Sequence, residues 1–506
     1  MGQADAARSS ARGDLIVLGS IALAFIIFHT LTNGRYGFHR DELQILDDAR
    51  HMDWGFVAYP PFTPLIERIS LLLFGESLAG LRFISALTQG LVVVIGGLMA
   101  RELGGKRLAQ VVAALGVAVS PLAMFEGTEF QYSSFDYLWW VLIAYFLIRL
   151  LKSENPRWWL AIGAAAGFGL QTKYSIVFLA VGLAGGLLLT SARRYLMSPW
   201  LWCGVGLALL IFLPNLIWQV RHDFISLAFL KHIHKRDVGE GRAAGFVKYQ
   251  FLFCANLMTM PIWLAGLFYY FRMAEGKRYR MLGWAYLITF AIFIAARGRF
   301  YYLAPAYPML LAAGAMVEER WVASLARGWA RTVRIATYAA LAIGFGMAAA
   351  LTIPFFALDS PRNFTIKINE DLREEVGWQE LVGNVARIRD SLSPEERAHF
   401  AILAANYGEV GAINLYGPAY GLPPAISGVN SVWYRGYGDP PPQTLIVMGL
   451  WRRFVEENFY SCRLAGHVTN RFGINNEETR EHPEIYVCGP PKDGWVVWWK
   501  DFHYFG

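Results

Sequence analysis

With 55% hydrophobic and 15% aromatic residues and only 17% charged ones, 506 residues cannot pack as an ordinary water-soluble protein. The net charge of +7 does not point to nucleic acid either, because most of the cations sit in short loops between apolar runs. A polytopic membrane protein is what remains.

Apolar runs occur near 15–31, 79–100, 107–124, 134–151, 158–172, 174–190, 199–219, 247–271, 281–296, 301–317 and 333–353. They predict about eleven helical spans, each near the ~20 residues that cross ~30 Å of hydrocarbon. Arg8 and Arg12, Arg101, Lys106 and Arg107, Lys152 and Arg157, Arg193 and Arg194, Arg272, Lys277, Arg278 and Arg280, and Arg320, Arg327, Arg331 and Arg334 all fall in alternate loops. The positive-inside rule makes that side cytoplasmic. The segment after the first span, the 222–246 loop and the tail are then extracytoplasmic, in an inner-membrane protein with a cytoplasmic N-terminus. The first run lacks a clear small-residue cleavage site and reads as a retained span. Two domains are expected, a membrane domain over 1–354 and a soluble extracytoplasmic α/β domain over 355–506.

The first outer loop holds "YGFHRDELQILDDARHMDWGFVAYPPF", Tyr36 to Phe62. From Arg40 to Met52 a helical projection puts Arg40, Asp41, Gln44, Asp48 and His51 on one side and Leu43, Ile45, Leu46, Ala49 and Met52 on the other. Such a helix is expected to lie in the membrane interface with its apolar face toward lipid. Asp41 then points from the first turn toward water or a protein cavity. Tyr59-Pro60-Pro61 breaks the segment.

The outer side also collects cations that topology does not explain. "FLKHIHKRD" supplies Lys231, His232, His234, Lys235 and Arg236, and "RGRFYYLAPAYP" supplies Arg297 and Arg299. An anionic ligand suits such a surface. Lys173, in "LQTKYS", stands between two apolar runs, where a cation marks a functional site unless it simply snorkels.

In the tail, "AHFAILAAN", "TLIVMGL" and "EIYVCG" read as strands, and "YGEVGAINLYG" and "WRRFVEENF" as helices. Cys462 and Cys488 form a candidate disulfide in an extracytoplasmic domain. Cys203 and Cys254 fall in apolar runs and read as packing residues. Asn406, Tyr407 and Glu409 follow a strand, where α/β folds bind ligands, although the same residues also suit a helix cap. The tail is expected to cover the cavity or to help recognise acceptor.

A carboxylate combined with cations suits sugar transfer from a lipid-linked phosphate. The acceptor hydroxyl gains from a positioned base, and a leaving phosphate needs cations rather than a general acid. A glycosidase would instead flank the bond with two carboxyl groups.

"RDELQILDDARHMDWGFVAYPPF", "LRFISAL", "SSFDYLWW", "GLQTKYS", "RFYYLAPAYPMLLAAGA" and "NYGEVGAINLYGPAYGLPPAISGVNS" together resemble bacterial membrane glycosyltransferases. These are relatives of the protein O-mannosyltransferases and of the lipid A aminoarabinose transferase, in glycosyltransferase family 39. The resemblance implies the GT-C fold, an extracytoplasmic active site and a polyprenyl-phosphate sugar as donor. It implies Asp41 as base with Glu42 as neighbour or substitute, and Asp136 as a second acidic position. Lys173 matches a basic position near the donor phosphate, and Arg40, Lys235, Arg236, Arg297 and Arg299 are further candidates for it. Tyr301 and Tyr302 are expected to shape the donor cavity, and His51 and Tyr59 to line the acceptor side. Where the family pattern has a His before the Pro pair, this chain has Tyr59.

No dedicated metal cage is evident, so a divalent cation is disfavoured as cofactor and no metal ligands are assigned. The acceptor is a hydroxyl of lipid A, of a surface glycan, or of a protein Ser or Thr; sequence does not choose, nor does it give the oligomeric state. The alternatives are a transporter or flippase of a lipid-linked sugar, which calls for ionisable groups near the bilayer midplane and a repeated half, and a sensor built on the tail.

Overall fold

The structure, a computed structural model, describes residues 2–506, with side chains from Arg12 onward. Arg8, used above for orientation, lies outside the described side chains. The chain divides into two compact units, one of residues 1–33, 79–223 and 234–353 and one of residues 34–78, 224–233 and 354–506.

The first unit is helical. Helices Arg12–Thr32, Leu78–Glu102, Tyr132–Ser153, Pro199–Arg221, Phe300–Ser324 and Arg327–Thr352 are long and apolar enough to cross a membrane. Two more apolar segments are bent, Ile176–Leu188 against Ser191–Met197 by 106° and Phe246–Cys254 against Leu257–Arg272 by 85°. Counting each bent pair as one span gives up to 8 among the described residues. The other predicted runs form shorter helices, Arg107–Ala118, Trp158–Leu170 and Arg280–Ala295. At ~1.5 Å per residue, 13 residues such as Trp158–Leu170 fall well short of a bilayer's hydrocarbon thickness. Hydropathy sees the apolar run but not the breaks at Ser120-Pro121 and Gln171 that end these helices early.

Small residues bring these helices into backbone contact. A Cβ on Gly163 would meet the Gly204 carbonyl oxygen at 2.1 Å, and one on Gly314 would meet that of Ile262 at 1.7 Å. Any side chain at either position forces its helix pair apart.

The second unit is built on a mixed sheet of β1 (Phe400–Ala404), β2 (Thr444–Met448), β3 (Arg463–His467) and β4 (Glu484–Cys488), in the order β1-β2-β4-β3. β1 and β2 are parallel, and β4 runs antiparallel to β2 and β3. The sequence pattern gives β1, β2 and β4 but not β3. That edge strand leaves most of its side chains exposed, and its register shifts between Leu464 and Gly466, so no alternation marks it. Cys462, just before β3, is disulfide-bonded to Cys488 at the end of β4. Of the free cysteines, Cys254 is buried but Cys203 is exposed, which corrects its reading as a packing residue.

Helix Arg40–Arg50 belongs to this unit and corrects a second expectation. Its apolar residues do not face lipid. Leu43, Ile45, Leu46 and Ala49 are at most 1% exposed, and Glu42, Asp47 and Asp48 are buried with them. The helix packs on Tyr407–Tyr416, where a Cβ on Gly411 would lie 2.5 Å from the Leu43 carbonyl oxygen. An amphipathic projection cannot distinguish lipid from a second helix as the apolar partner.

Candidate active site

In the second unit the sequence fixes the start of helix Arg40–Arg50 locally. The His39 N–H donates to Glu42 Oε2 at 2.8 Å, and His39 Nδ1 accepts from the Asp41 N–H at 3.2 Å. Glu42 is thereby held as a cap and is fully buried. Asp41, the next carboxylate, is only partly buried and lies close enough to the Tyr407 hydroxyl to act on it. Arg40 lies 4.9 Å from the Tyr407 ring centroid, pairs with Glu477 and approaches Glu478 at 3.9 Å. Its charge is committed to the tail rather than left for a phosphate.

Further along the helix, Arg435 binds Asp47 and, at 3.0 Å, Asp48, while the Tyr59 hydroxyl donates to Asp48 at 2.8 Å. Burial pushes Asp48 up to about 7 despite the guanidinium. Tyr59 therefore positions a carboxylate. His51 is exposed, with Nδ1 2.9 Å from the Asp47 carbonyl oxygen. Glu67, on helix Phe62–Phe74, is buried and pushed up to about 8 by burial and then by Glu42.

In the first unit the Lys173 ammonium is enclosed by three phenol rings, 5.0 Å from the centroid of Tyr132, 5.4 Å from Tyr301 and 4.6 Å from Tyr302. Three rings at this range hold a cation without neutralising it. Asp136 is buried and accepts from the Ser175 hydroxyl at 2.9 Å. Glu126 accepts from Ser133 at 2.7 Å and Ser134 at 3.1 Å, and the Lys173 charge acts on both Glu126 and Asp136. A lysine, three tyrosines and buried carboxylates thus form one polar cluster in an apolar unit.

Other predicted cations are not part of it. Arg299 grips Asp237 in two-pronged fashion, at 2.6 and 2.7 Å, and donates to the Tyr301 hydroxyl at 3.0 Å. Arg236 lies 3.9 Å from the same Asp237. Lys235 and Arg297 are exposed, and Arg297 has a φ of 48°, an uncommon conformation for a side chain of its size. Arg299 instead fixes Tyr301 beside Lys173.

Sequence reasoning missed Glu126, Tyr132, Glu67, Asp237 and Arg435. Glu126 had a signal, since "FEGTEFQ" is an acidic interruption between two apolar runs. Arg435 had none; it ends a short 3-10 helix, Asn430–Arg435, 388 residues from Asp47. Asn406 and Glu409 prove to be a reciprocal helix cap. Among the described residues no group of three or more His, Cys, Asp or Glu side chains is arranged to hold a metal ion.

Comparison with known proteins is consistent at two levels. Residues 58–218 match the family described as dolichyl-phosphate-mannose-protein mannosyltransferase. The lipid A galacturonosyltransferase RgtD of Rhizobium johnstonii is 26% identical over 282 residues, 54% of this chain and 57% of that protein. The chain therefore spans little more than half the length of this curated relative. ArnT from Cupriavidus metallidurans shares the fold, covering 94% of this chain and 98% of its own at 15% identity. The TM-score is 0.60 for the apo structure and 0.57 for the one bound to undecaprenyl phosphate. The polytopic helical fold and the family resemblance read from the motifs are borne out.

Proposed function

We propose that this chain, a GT-C membrane protein of the mannosyltransferase type with the fold of ArnT, is an inverting glycosyltransferase that moves a sugar from a polyprenyl-phosphate donor to an acceptor hydroxyl. The observation that carries the reading is the Lys173 ammonium held by Tyr132, Tyr301 and Tyr302 beside Asp136 and Glu126. A cation kept in place by neutral rings retains its charge for a departing phosphate.

Asp41 is the base in this reading. Of helix Arg40–Arg50, it and Arg50 alone stay outside the buried set, and the Tyr407 hydroxyl is its neighbour. The acceptor oxygen attacks the anomeric carbon as its proton passes to Asp41, the bond from that carbon to the phosphate oxygen breaks, and polyprenyl phosphate leaves with the electron pair. Attack opposite the leaving group inverts the anomeric centre. Orientation with the N-terminus in the cytoplasm and the tail on the other face follows the basic loops. Lipid A is the acceptor we favour, because RgtD is named for that chemistry.

Mass spectrometry of lipid A, surface polysaccharide and membrane proteins tests this, in cells carrying the intact chain, an Asp41→Asn chain, or neither. A sugar-sized mass on lipid A is expected with the intact chain only. The same mass on glycan or protein would move the acceptor. Full transfer by Asp41→Asn at normal expression removes Asp41 as base, and translocation of lipid-linked sugar without its consumption removes the transferase reading.

A further inference from the structure

Beyond the carboxyl ends of the parallel strands β1 and β2, the second unit holds a cavity of about 480 Å³. Ala405, which follows β1, and Gly449, which follows β2, are in its wall. Open α/β sheets bind ligands at this edge.

The wall is chemically one-sided. Glu409, Glu477, Glu478, Glu481 and Asp501 line it, against His482 as the one basic side chain among the described lining residues. Arg40 offsets part of this charge, pairing with Glu477 and lying 3.9 Å from Glu478 Oε1. Two oxygens are left over. Glu409 Oε2 accepts from the N–H groups of Ala405 and Asn406 at 2.9 and 3.2 Å, while Oε1 is buried without a hydrogen-bond partner. Glu478 Oε1 accepts from the Asn406 amide at 3.3 Å, while Oε2 is likewise orphaned. Both residues are buried, at 0% and 3% exposure. Buried acceptors without donors are rare and costly, so each asks for a partner.

Aromatic rings supply the rest of the wall, from Trp451, Phe454, Phe502 and Tyr504. Trp451 is 70% exposed, its ring 4.2 Å from that of His482.

We propose that this cavity binds a primary ammonium group carried on a small ring or short chain, with the ammonium between Glu409 and Glu478 and the body against Trp451 and Phe502. Burial and the Glu478 charge push Glu409 up to about 8, so without a bound amine its carboxyl holds a proton at neutral pH; an ammonium displaces that proton to solvent, and its three donors then serve both orphaned oxygens. It also compensates the acidic wall and is attracted by the indole face. A neutral sugar would supply donors but leave the charge, and an anion would be repelled. An amino sugar and an ethanolamine headgroup share this chemistry. The proposal does not depend on the transfer chemistry assigned to Asp41 and Lys173.

The test is calorimetric titration of the purified full-length chain in detergent at neutral pH, with glucosamine, glucose and ethanolamine as probes. Glucosamine is expected to bind about tenfold or more tighter than glucose, the weight of one charge-assisted contact. Ethanolamine binding more tightly than glucosamine would assign a headgroup source, and the reverse order an amino sugar. Glu478→Gln should weaken the amines about tenfold. Trp451→Ala, at an exposed position with little bearing on folding, should weaken glucosamine more than ethanolamine. The proposal is overturned by equal affinity for glucose and glucosamine, by no saturable binding of either amine, or by unchanged affinities in both variants.

Discussion

Arg435 binds both Asp47 and Asp48, two adjacent carboxylates buried on helix Arg40–Arg50. Breaking a buried pair from one side leaves the other charge uncompensated, so Arg435→Ala should cost roughly 3–5 kcal/mol. Thermal unfolding of the purified chain would show this as a lower midpoint, and Arg435→Lys should recover only part because a lysine cannot fork between two carboxylates. Lys173→Met should raise the KM for the lipid-phosphate donor at least about tenfold, whereas Lys173→Arg keeps the charge and should lose less; donor titrations separate the two. Legibility at this scale follows the reach of the partner. Asp41, Lys173, Tyr301 and Tyr302 stand in short recognisable motifs and were nameable from the chain alone. Arg435 and Asp237 act through residues or segments that no local pattern connects to them. Arg40 and Arg299 were visible as cations, but their commitment to Glu477 and Asp237 was not.

At the scale of elements, helix Arg40–Arg50 shows which information a sequence lacks. Arg40, Gln44 and Asp48, drawn on its polar side, are buried too, but its first-turn acids and its apolar face were legible. What covers that face was not, since Tyr407–Tyr416 and its Gly408 and Gly411 lie far along the chain. A side chain at Gly411 has no space at 2.5 Å from the Leu43 carbonyl oxygen. Gly411→Val should therefore separate the two helices at a cost of about 1–3 kcal/mol or more, detectable as faster proteolysis within residues 34–78. The strands obey the same logic: β1, β2 and β4 are buried runs, whereas the exposed edge strand β3 carries no hydrophobic signature. In the membrane unit the apolar runs were all legible. Their bends and early ends were not, because these depend on breaks such as Ser120-Pro121 rather than on hydropathy.

For the whole molecule, the second unit holds several carboxyl groups pushed up foremost by burial, Asp48 and Glu374 to about 7 and Glu409 to about 8. Folding raises their proton affinity above that of the unfolded chain, so the native state binds more protons than the unfolded one. Their contribution to stability is complete below about pH 4, where both states are protonated, and is lost as pH rises through about 7 to 8. Unfolding midpoints of the second unit should fall across that upper window, and Asp48→Asn should flatten the slope. Reduction of the Cys462–Cys488 bond should lower stability by about 2–4 kcal/mol, read from the same transition with and without reductant. The helix enclosed by the tail also sets an order of assembly. Asp47 is synthesised 367 residues before Asn414, whose amide it accepts at 2.7 Å. Throughout insertion of the intervening helices, the early loop has no finished partner and its carboxylates must stay hydrated. A ribosome that stops short of Arg435 therefore releases two faults at once, a missing tail and an early loop that can never close, which makes such fragments ready targets for quality-control proteolysis.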